Sequence, residues 1–434
     1  MRQSLPRPLK ADKVYQEFKA YCQKAEAKGT PIADVLADMR QLTTHFVHFY
    51  FEREQDEQLL GAFKSLRVLT DGATSLALRL YEFYTAGVLS RDDFVEIVRT
   101  LESYLFRRMV CDFPSNSLPQ IFALLTNSIQ SDNTVQTIKV LLHRFSKRRR
   151  FPTDQEFRDA MLTRDIYSMK ACKFLLDRLE NDSKEQVDTS SLTVEHVMPQ
   201  TEILNQKWRD ALGEDWKERH ATWLHRLGNL TLTAYNREYS NRWFDEKKTI
   251  DHGFNESPLR LNQFIKQQTT WNVELIEERG KELAKHALQL WKPLTVADKV
   301  LHEFELQQAK EIAQNYSEDH VEGLDVQQAL FDALSQRIRE LGDDVVELFS
   351  PKNVTYRVFD FFVQILPRKQ RLDIVLNLDF EEIDDPHEFC RDRSQQSYVA
   401  NCSVEGGVLL RVRDLQDIDE TMNFIAVAYD NVSD

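Results

Sequence analysis

From about Lys10 to Asn181 the apolar residues of this chain return every three or four positions, a period that suits helices and little else. Val14-Tyr15, Phe18 and Tyr21-Cys22 share one helical stripe. Leu76, Leu80-Tyr81 and Phe83-Tyr84 form another, and Phe94, Ile97-Val98, Leu101 and Tyr104-Leu105 a third. Turn signals at Gly29-Thr30-Pro31, Asp71-Gly72 and Pro114-Ser115-Asn116 separate them, and Phe151-Pro152-Thr153-Asp154 reads as a helix start. The stripes do not recur at a fixed period, so the pattern is not that of a solenoid. The polar stretch Asn181-Asp182-Ser183-Lys184-Glu185 reads as a linker closing an all-helical module over residues 1–185.

The pattern then changes. Ser191-Leu192-Thr193-Val194 is β-prone, residues 205–224 form a polar, Trp-containing helical insertion, and Asn229-Leu230-Thr231-Leu232-Thr233 alternates as a strand does. Ser240-Asn241 precede Phe244 and Lys247-Lys248 as a capped helix would begin. Residues 186–294 thus read strand, insertion, strand, helix, with a longer helix from Val273 to Trp291. In residues 295–434, helices over 297–315 and 323–341 lead to strands at 355–361, 371–378 and 408–412 and a helix over 417–429, which predicts a small α+β domain. The fold class expected is mainly α with α+β.

A formal charge of −14 argues at first against a nucleic-acid partner, but the charge is unevenly spread. From Val296 onward there are 13 Lys+Arg against 29 Asp+Glu, which leaves the first 295 residues at +2. Local basic clusters on a near-neutral background can still follow a phosphate backbone. Arg107-Arg108 and Lys147-Arg148-Arg149-Arg150 are such clusters, read first as solvated helix ends that complement the helix dipole and second as phosphate contacts. Arg368-Lys369-Gln370-Arg371 is a basic spot in the acidic region, and Asp373 and Asp379 read as the solvent face of a strand. Apolar runs fall far short of the ~20 residues that span a bilayer. With no apolar signal core at the N-terminus, a cytoplasmic protein without a membrane partner is expected. Cys22, Cys111, Cys172, Cys390 and Cys402 form no Cys-x-x-Cys pair, so structural zinc is not expected.

The chemistry concentrates at Glu195-His196-Val197-Met198-Pro199 and Gly228-Asn229-Leu230-Thr231-Leu232. Neighbours on a strand face opposite sides, so Glu195 can offer a hard carboxylate oxygen to Mg²⁺ or Mn²⁺ while His196 takes a proton from water. Asn229 on the partner strand is expected to orient the imidazole. An amide oxygen from Asn236 or Asn241 is expected to complete the metal side.

The ordered set Val194-Glu195-His196-Val197-Met198-Pro199-Gln200, Trp208, His225-Arg226-Leu227-Gly228-Asn229-Leu230-Thr231-Leu232, Asn236, Ser240-Asn241, Phe244 and Lys247 resembles the C-terminal nuclease domain of the GmrSD type IV restriction enzymes. That resemblance implies a ββα-metal (HNH, His-Me finger) core embedded in helices, and a DNA endonuclease or nickase of an anti-phage restriction system. It implies His196 as general base, Asn229 as its orienting partner, and one Mg²⁺ or Mn²⁺ held by Glu195 and Asn236 or Asn241. Arg242 and Lys247 become weaker candidates for phosphate contact. DNA, modified phage DNA included, is the partner implied, with pairing of two copies a route to a double-strand break. The family's ParB-like NTPase domain carries an Asp-Gly-Gln-Gln-Arg motif that this sequence lacks, so such a domain or subunit is expected as a partner in cis or in trans. Residues 295–434 resemble a small domain of unassigned function appended to such nucleases. An adaptor keeping the scaffold without catalysis, or an RNase or toxin using the same centre, are the alternatives.

Overall fold

The computed structural model describes residues 14–130, 133–297, 299–301, 304, 318–358, 361–378, 380, 383, 389–392 and 407–433. Asp379, Cys402 and most of the helix expected over 297–315 lie outside them. The chain divides into two compact units, residues 1–135 with 151–294, and residues 136–150 with 295–434. Its class is mainly α with α+β, as the periodicity predicts.

The first unit opens with helices α1 (Val14–Ala27), α2 (Ile32–Tyr50), α3 (Glu57–Leu69), α4 (Thr74–Thr85), α5 (Arg91–Val110) and α6 (Leu118–Ser128). Their starts are locally encoded. Asp56 accepts from the Gln58 and Leu59 amides at the head of α3, and Ser90 accepts from Asp93 at the head of α5. After α7 (Thr134–Arg144), most of which belongs to the second unit, come α8 (Asp154–Thr163) and α9 (Cys172–Glu180). The helix start read at Thr153 is a capping box: Thr153 accepts from the Glu156 amide while the Glu156 carboxylate accepts from Thr153.

Strand β1 (Thr193–His196) pairs antiparallel with β2 (Leu230–Thr233), Glu195 opposite Thr231 and His196 opposite Leu230. The insertion between them is two helices, α10 (Gln206–Leu212) and α11 (Trp216–Trp223), separated where Gly213 adopts a φ of 85°. Then follow α12 (Asn236–Tyr239), α13 (Phe244–Thr249), α14 (Gln263–Gln267) and the long α15 (Val273–Leu290). Ser240 and Asn241 are not the cap of α13, contrary to expectation. Trp243 holds that position and gives no side-chain bond, and Ser240 sits in a turn at φ 40°. Val197, Met198, Trp208, Phe244, Phe254, Ile265, Trp271 and Ile276 form the apolar core beneath the ladder.

The second unit contains α16 (Gln328–Arg339), β3 (Val346–Ser350), β4 (Asn353–Arg357), β5 (Phe361–Arg368), β6 (Arg371–Leu376), β7 (Arg391–Asp392), β8 (Val408–Val412) and α17 (Ile418–Ser433). The strands form one antiparallel sheet in the order β3-β4-β5-β6-β8-β7. Val354, Tyr356, Ile365, Ile374, Leu410 and their alternating neighbours pack on Phe331, Leu334, Ile338, Met422 and Ile425 of the two helices. Asp373 is not on a solvent face. It is buried and accepts from Arg368 and Arg371 at 2.9 and 2.6 Å. No described helix is long and apolar enough to cross a membrane.

Candidate active site

Alternation along β1 sends Glu195 and His196 to opposite sides, and each meets a different set of partners. Glu195, 4% exposed, meets Lys247 of α13, which is fully buried. The Lys247 Nζ donates to Glu195 Oε1 at 2.5 Å and to the His196 carbonyl at 2.9 Å. Burial pushes the Glu195 carboxyl up and the Lys247 ammonium down, and each is opposed by the charge and hydrogen bond of the other. Lys247 is therefore not a phosphate contact, because its charge is consumed inside the domain.

His196 faces a second histidine. Its Nε2 lies 3.0 Å from His225 Nδ1, and its Nδ1 lies 2.8 Å from the amide nitrogen of Gln200. Tyr167 walls the pair, its ring edge-on to His196 at 4.4 Å and stacked on His225 at 5.2 Å and 10°. The backbone fixes this wall, since the Ile166 amide donates to the His225 carbonyl at 3.0 Å. Burial pushes the His196 imidazole down to about 3, His225 and Lys247 act in the same sense, and Asp165 opposes them. The imidazole is held neutral.

Asn229 does not touch that imidazole, which corrects the orienting role expected for it. Its Oδ1 accepts from the Met198 amide at 2.8 Å and from Trp271 Nε1 at 3.2 Å. Its Nδ2 donates to the carbonyls of Met198 at 3.0 Å and Leu224 at 2.9 Å. Both polar atoms of the side chain are engaged, joining the loop after β1 to Leu224 and Trp271. The glycine before it allows α15 to cross close behind: a Cβ on Gly228 would sit 1.8 Å from the Ile276 carbonyl. Arg279 of α15, wholly buried, donates to the Gly228 and Leu230 carbonyls at 2.7 and 2.8 Å. Burial lowers its guanidinium to about 9.

The other predicted residues divide. Asn236 lies near β1, its Nδ2 donating to the Val194 carbonyl at 2.9 Å. Asn241 is exposed, and so is Arg242, whose Nε donates to the Glu238 carbonyl at 2.9 Å. Arg107 and Arg108 are buried and are not a phosphate surface. Arg107 donates to the carbonyls of Trp291 at 2.8 Å and Pro152 at 3.1 Å and pairs with Asp154 at 2.6 Å. Arg108 donates to the Pro114 carbonyl at 2.8 Å and lies over the Tyr104 ring. Lys147, Arg148 and Arg149 form a single 3₁₀ turn, followed by Arg150, and belong to the second unit. Lys147 lies 3.8 Å from Asp430 there.

A cation held by Glu195 does not fit these side chains, because the carboxylate is buried and already neutralised by Lys247. Among the described residues, the His, Cys, Asp and Glu side chains close enough to share an ion are Asp251, His252 and Glu256, all exposed on the turn after α13. The residues that reading the sequence missed are His225, Gln200 and Tyr167. His225 and Gln200 stand in the motif that carries the resemblance; Gln200, four residues after His196, is a local partner, whereas the pairing of His225 to His196 is a tertiary contact that no spacing reveals.

Residues 151–286 match a family model, that of the C-terminal domain of GmrSD restriction endonucleases. This segment is similar to a GmrSD C-terminal domain. It contains both strands of the ladder, His196, His225, Asn229 and Lys247, so the GmrSD-like segment and the site coincide. The match supports a nuclease, a hydrolase of phosphodiester bonds, in general terms. Residues 317–432 match a second family model, a domain of unknown function (DUF5655), which spans the six-stranded sheet and agrees with the appended domain expected there. No curated protein matches the chain.

Proposed function

We propose that this chain is a DNA endonuclease or nickase of a cytoplasmic anti-phage restriction system, with His196 as its general base. The observation that carries the reading is the state of that imidazole within the GmrSD-like segment. It is fixed at the end of β1 and kept neutral, and its Nδ1 meets the amide of the exposed Gln200. A water that takes the place of the Gln200 amide lies at hydrogen-bond distance from a ring nitrogen able to accept its proton. The water oxygen then bonds to phosphorus as the bond to the 3′ oxygen breaks, and the departing oxyanion is protonated by solvent. The negative charge of an arriving phosphodiester acts against burial and raises the basicity of His196. No step is assigned to a metal, because Glu195 does not fit one. A dependence on Mg²⁺ or Mn²⁺ is read from the experiment.

The 1–185 module, in this reading, supports the duplex, residues 186–294 cut it, and a ParB-like NTPase domain or subunit governs the cutting. A non-catalytic adaptor is the second reading, favoured by the buried Glu195–Lys247 pair. The test incubates wild type and His196→Ala with modified and unmodified plasmid, and with structured RNA, each with and without Mg²⁺ or Mn²⁺. Cutting of DNA by wild type and its loss in His196→Ala is expected. Full cutting by His196→Ala would remove His196 from the chemistry, and no cutting by wild type would leave the adaptor reading.

A further inference from the structure

A general base must keep one nitrogen free of its own proton and aimed at water, so something has to hold its tautomer. Asn229, the expected orienting group, is occupied elsewhere. We propose that His225 is the positioning residue of this centre, accepting the Nε2–H of His196 and thereby keeping Nδ1 as the basic nitrogen. This rests on the reading of His196 as the base.

With the Gln200 amide nitrogen facing the ring, the hydrogen bonds allow one consistent assignment. The Gln200 amide nitrogen is a donor, so His196 Nδ1 accepts at 2.8 Å and its proton resides on Nε2. That Nε2–H then donates across 3.0 Å to His225 Nδ1, which accepts, and His225 carries its own proton on Nε2. In this arrangement every hydrogen bond runs from a donor to an acceptor. When His196 takes the proton of water, its Nε2–H becomes a charged donor, and the bond to His225 strengthens when the transition state needs it. The Asp165 carboxylate, whose charge acts on both imidazoles, favours the imidazolium in the same sense.

The backbone is arranged to hold His225 still. Its carbonyl accepts from the Ile166 amide at 3.0 Å, and its ring stacks on Tyr167 at 5.2 Å. Four residues further on, Asn229 ties the same turn to the loop after β1 through the Leu224 and Met198 carbonyls. The two imidazoles are thus presented by two separate segments, the end of β1 and the turn before β2, which Asn229 ties together. Asn229 acts on the backbone, and His225 acts on the ring.

Two measurements on the full chain test this. Kinetics on plasmid compare wild type, His196→Ala, His225→Leu and His225→Asn, the last keeping an acceptor oxygen. Histidine ¹⁵N chemical shifts report which nitrogen of His196 carries the proton, independently of activity. His225→Leu is expected to lower kcat about 10- to 100-fold with little change in KM, the loss typical when an orienting partner is removed. His225→Asn should recover most of it, and the His196 signals of the Leu variant should move toward a mixture of tautomers. Wild-type kcat in His225→Leu, or an unchanged His196 tautomer, would overturn the role of His225. Retained cutting by His196→Ala, by contrast, strikes the reading of the base itself. Should wild type not cut at all, that reading falls, and the ¹⁵N shifts still decide whether His225 holds the tautomer.

Discussion

The two-stranded ladder of the first unit is hemmed in by buried polar groups: Glu195, His196, Asn229, Thr231, Lys247, Asn262 and Arg279 are all under 9% exposed. The six-stranded sheet of the second unit turns Val354, Ile365, Ile374, Leu376, Leu410 and Val412 to its helices and closes, with Tyr356, Phe362 and Phe331, on an apolar interior. A two-stranded ribbon is marginal by itself. Here it is held by directed bonds from outside: Lys247 to the end of β1, Arg279 to both sides of the Asn229 turn, Asn262 to Thr231 and to the Leu232 carbonyl. Apolar packing tolerates small shifts, whereas directed bonds fix atoms. The ladder carrying His196 is built the second way, which is how a site that must position a ring nitrogen has to be built.

The sharpest way to break this contrast is to strand one charge. Lys247→Met removes the partner of a buried carboxylate and the donor to the His196 carbonyl, and it is expected to cost about 3–5 kcal/mol in urea unfolding. Pairing it with Glu195→Leu should recover most of that loss, because removing both charges abolishes the desolvation penalty. A single variant within about 0.5 kcal/mol of wild type would mean that the pair does not hold the ladder. The corresponding loss in the second unit has another origin. Leu410→Ala, at a fully buried position on β8, is expected to cost about 3 kcal/mol through lost burial and the cavity left behind. No second substitution of charge should rescue it. A cost near zero would show that the helix-covered face is not the close-packed core described.

Much of this contrast follows from what a sequence can express. Helical periodicity and the Thr153 and Glu156 capping pair are local, and α5, α8 and α15 appear where the pattern puts them. β1 and β2 lie within two residues of their expected places, and opposite-facing Glu195 and His196 follow from strand geometry alone. The polar partners are different in kind. Arg107-Arg108 looks like a surface pair, yet residues 101–108 of α5 are buried all round, and Arg107 finds its acceptors at Pro152 and Trp291, far along the chain. Asn229 and His225 exchange roles for the same reason: an amide and an imidazole four residues apart could each serve a histidine, and only tertiary contacts decide which does. Strands β3 and β7 are missed because Val346–Ser350 follows a helix without a strong break and Arg391–Asp392 is two residues long, and the single strand expected over 355–361 is two, β4 and β5, paired antiparallel.

The mildest test concerns protons. His196 has an ordinary imidazole value of 6.5, and burial pushes it down to about 3 in the folded chain. Below pH 6.5 the unfolded chain therefore binds a proton that the folded one refuses, so folding loses stability as pH falls from about 6.5 toward 3. Above that window the contribution is fully present and constant. Between pH 7 and pH 5 this single group should account for about 2 kcal/mol of lost stability. Urea unfolding of wild type and His196→Gln at the two pH values isolates it, since glutamine does not titrate and the other groups are common to both. The variant is expected to lose less on acidification than wild type by about that amount. Equal losses would mean that His196 accepts a proton in the folded protein as readily as in the unfolded one. The imidazole would then be a solvated surface group, and the polar bracing of the ladder would have no bearing on its charge.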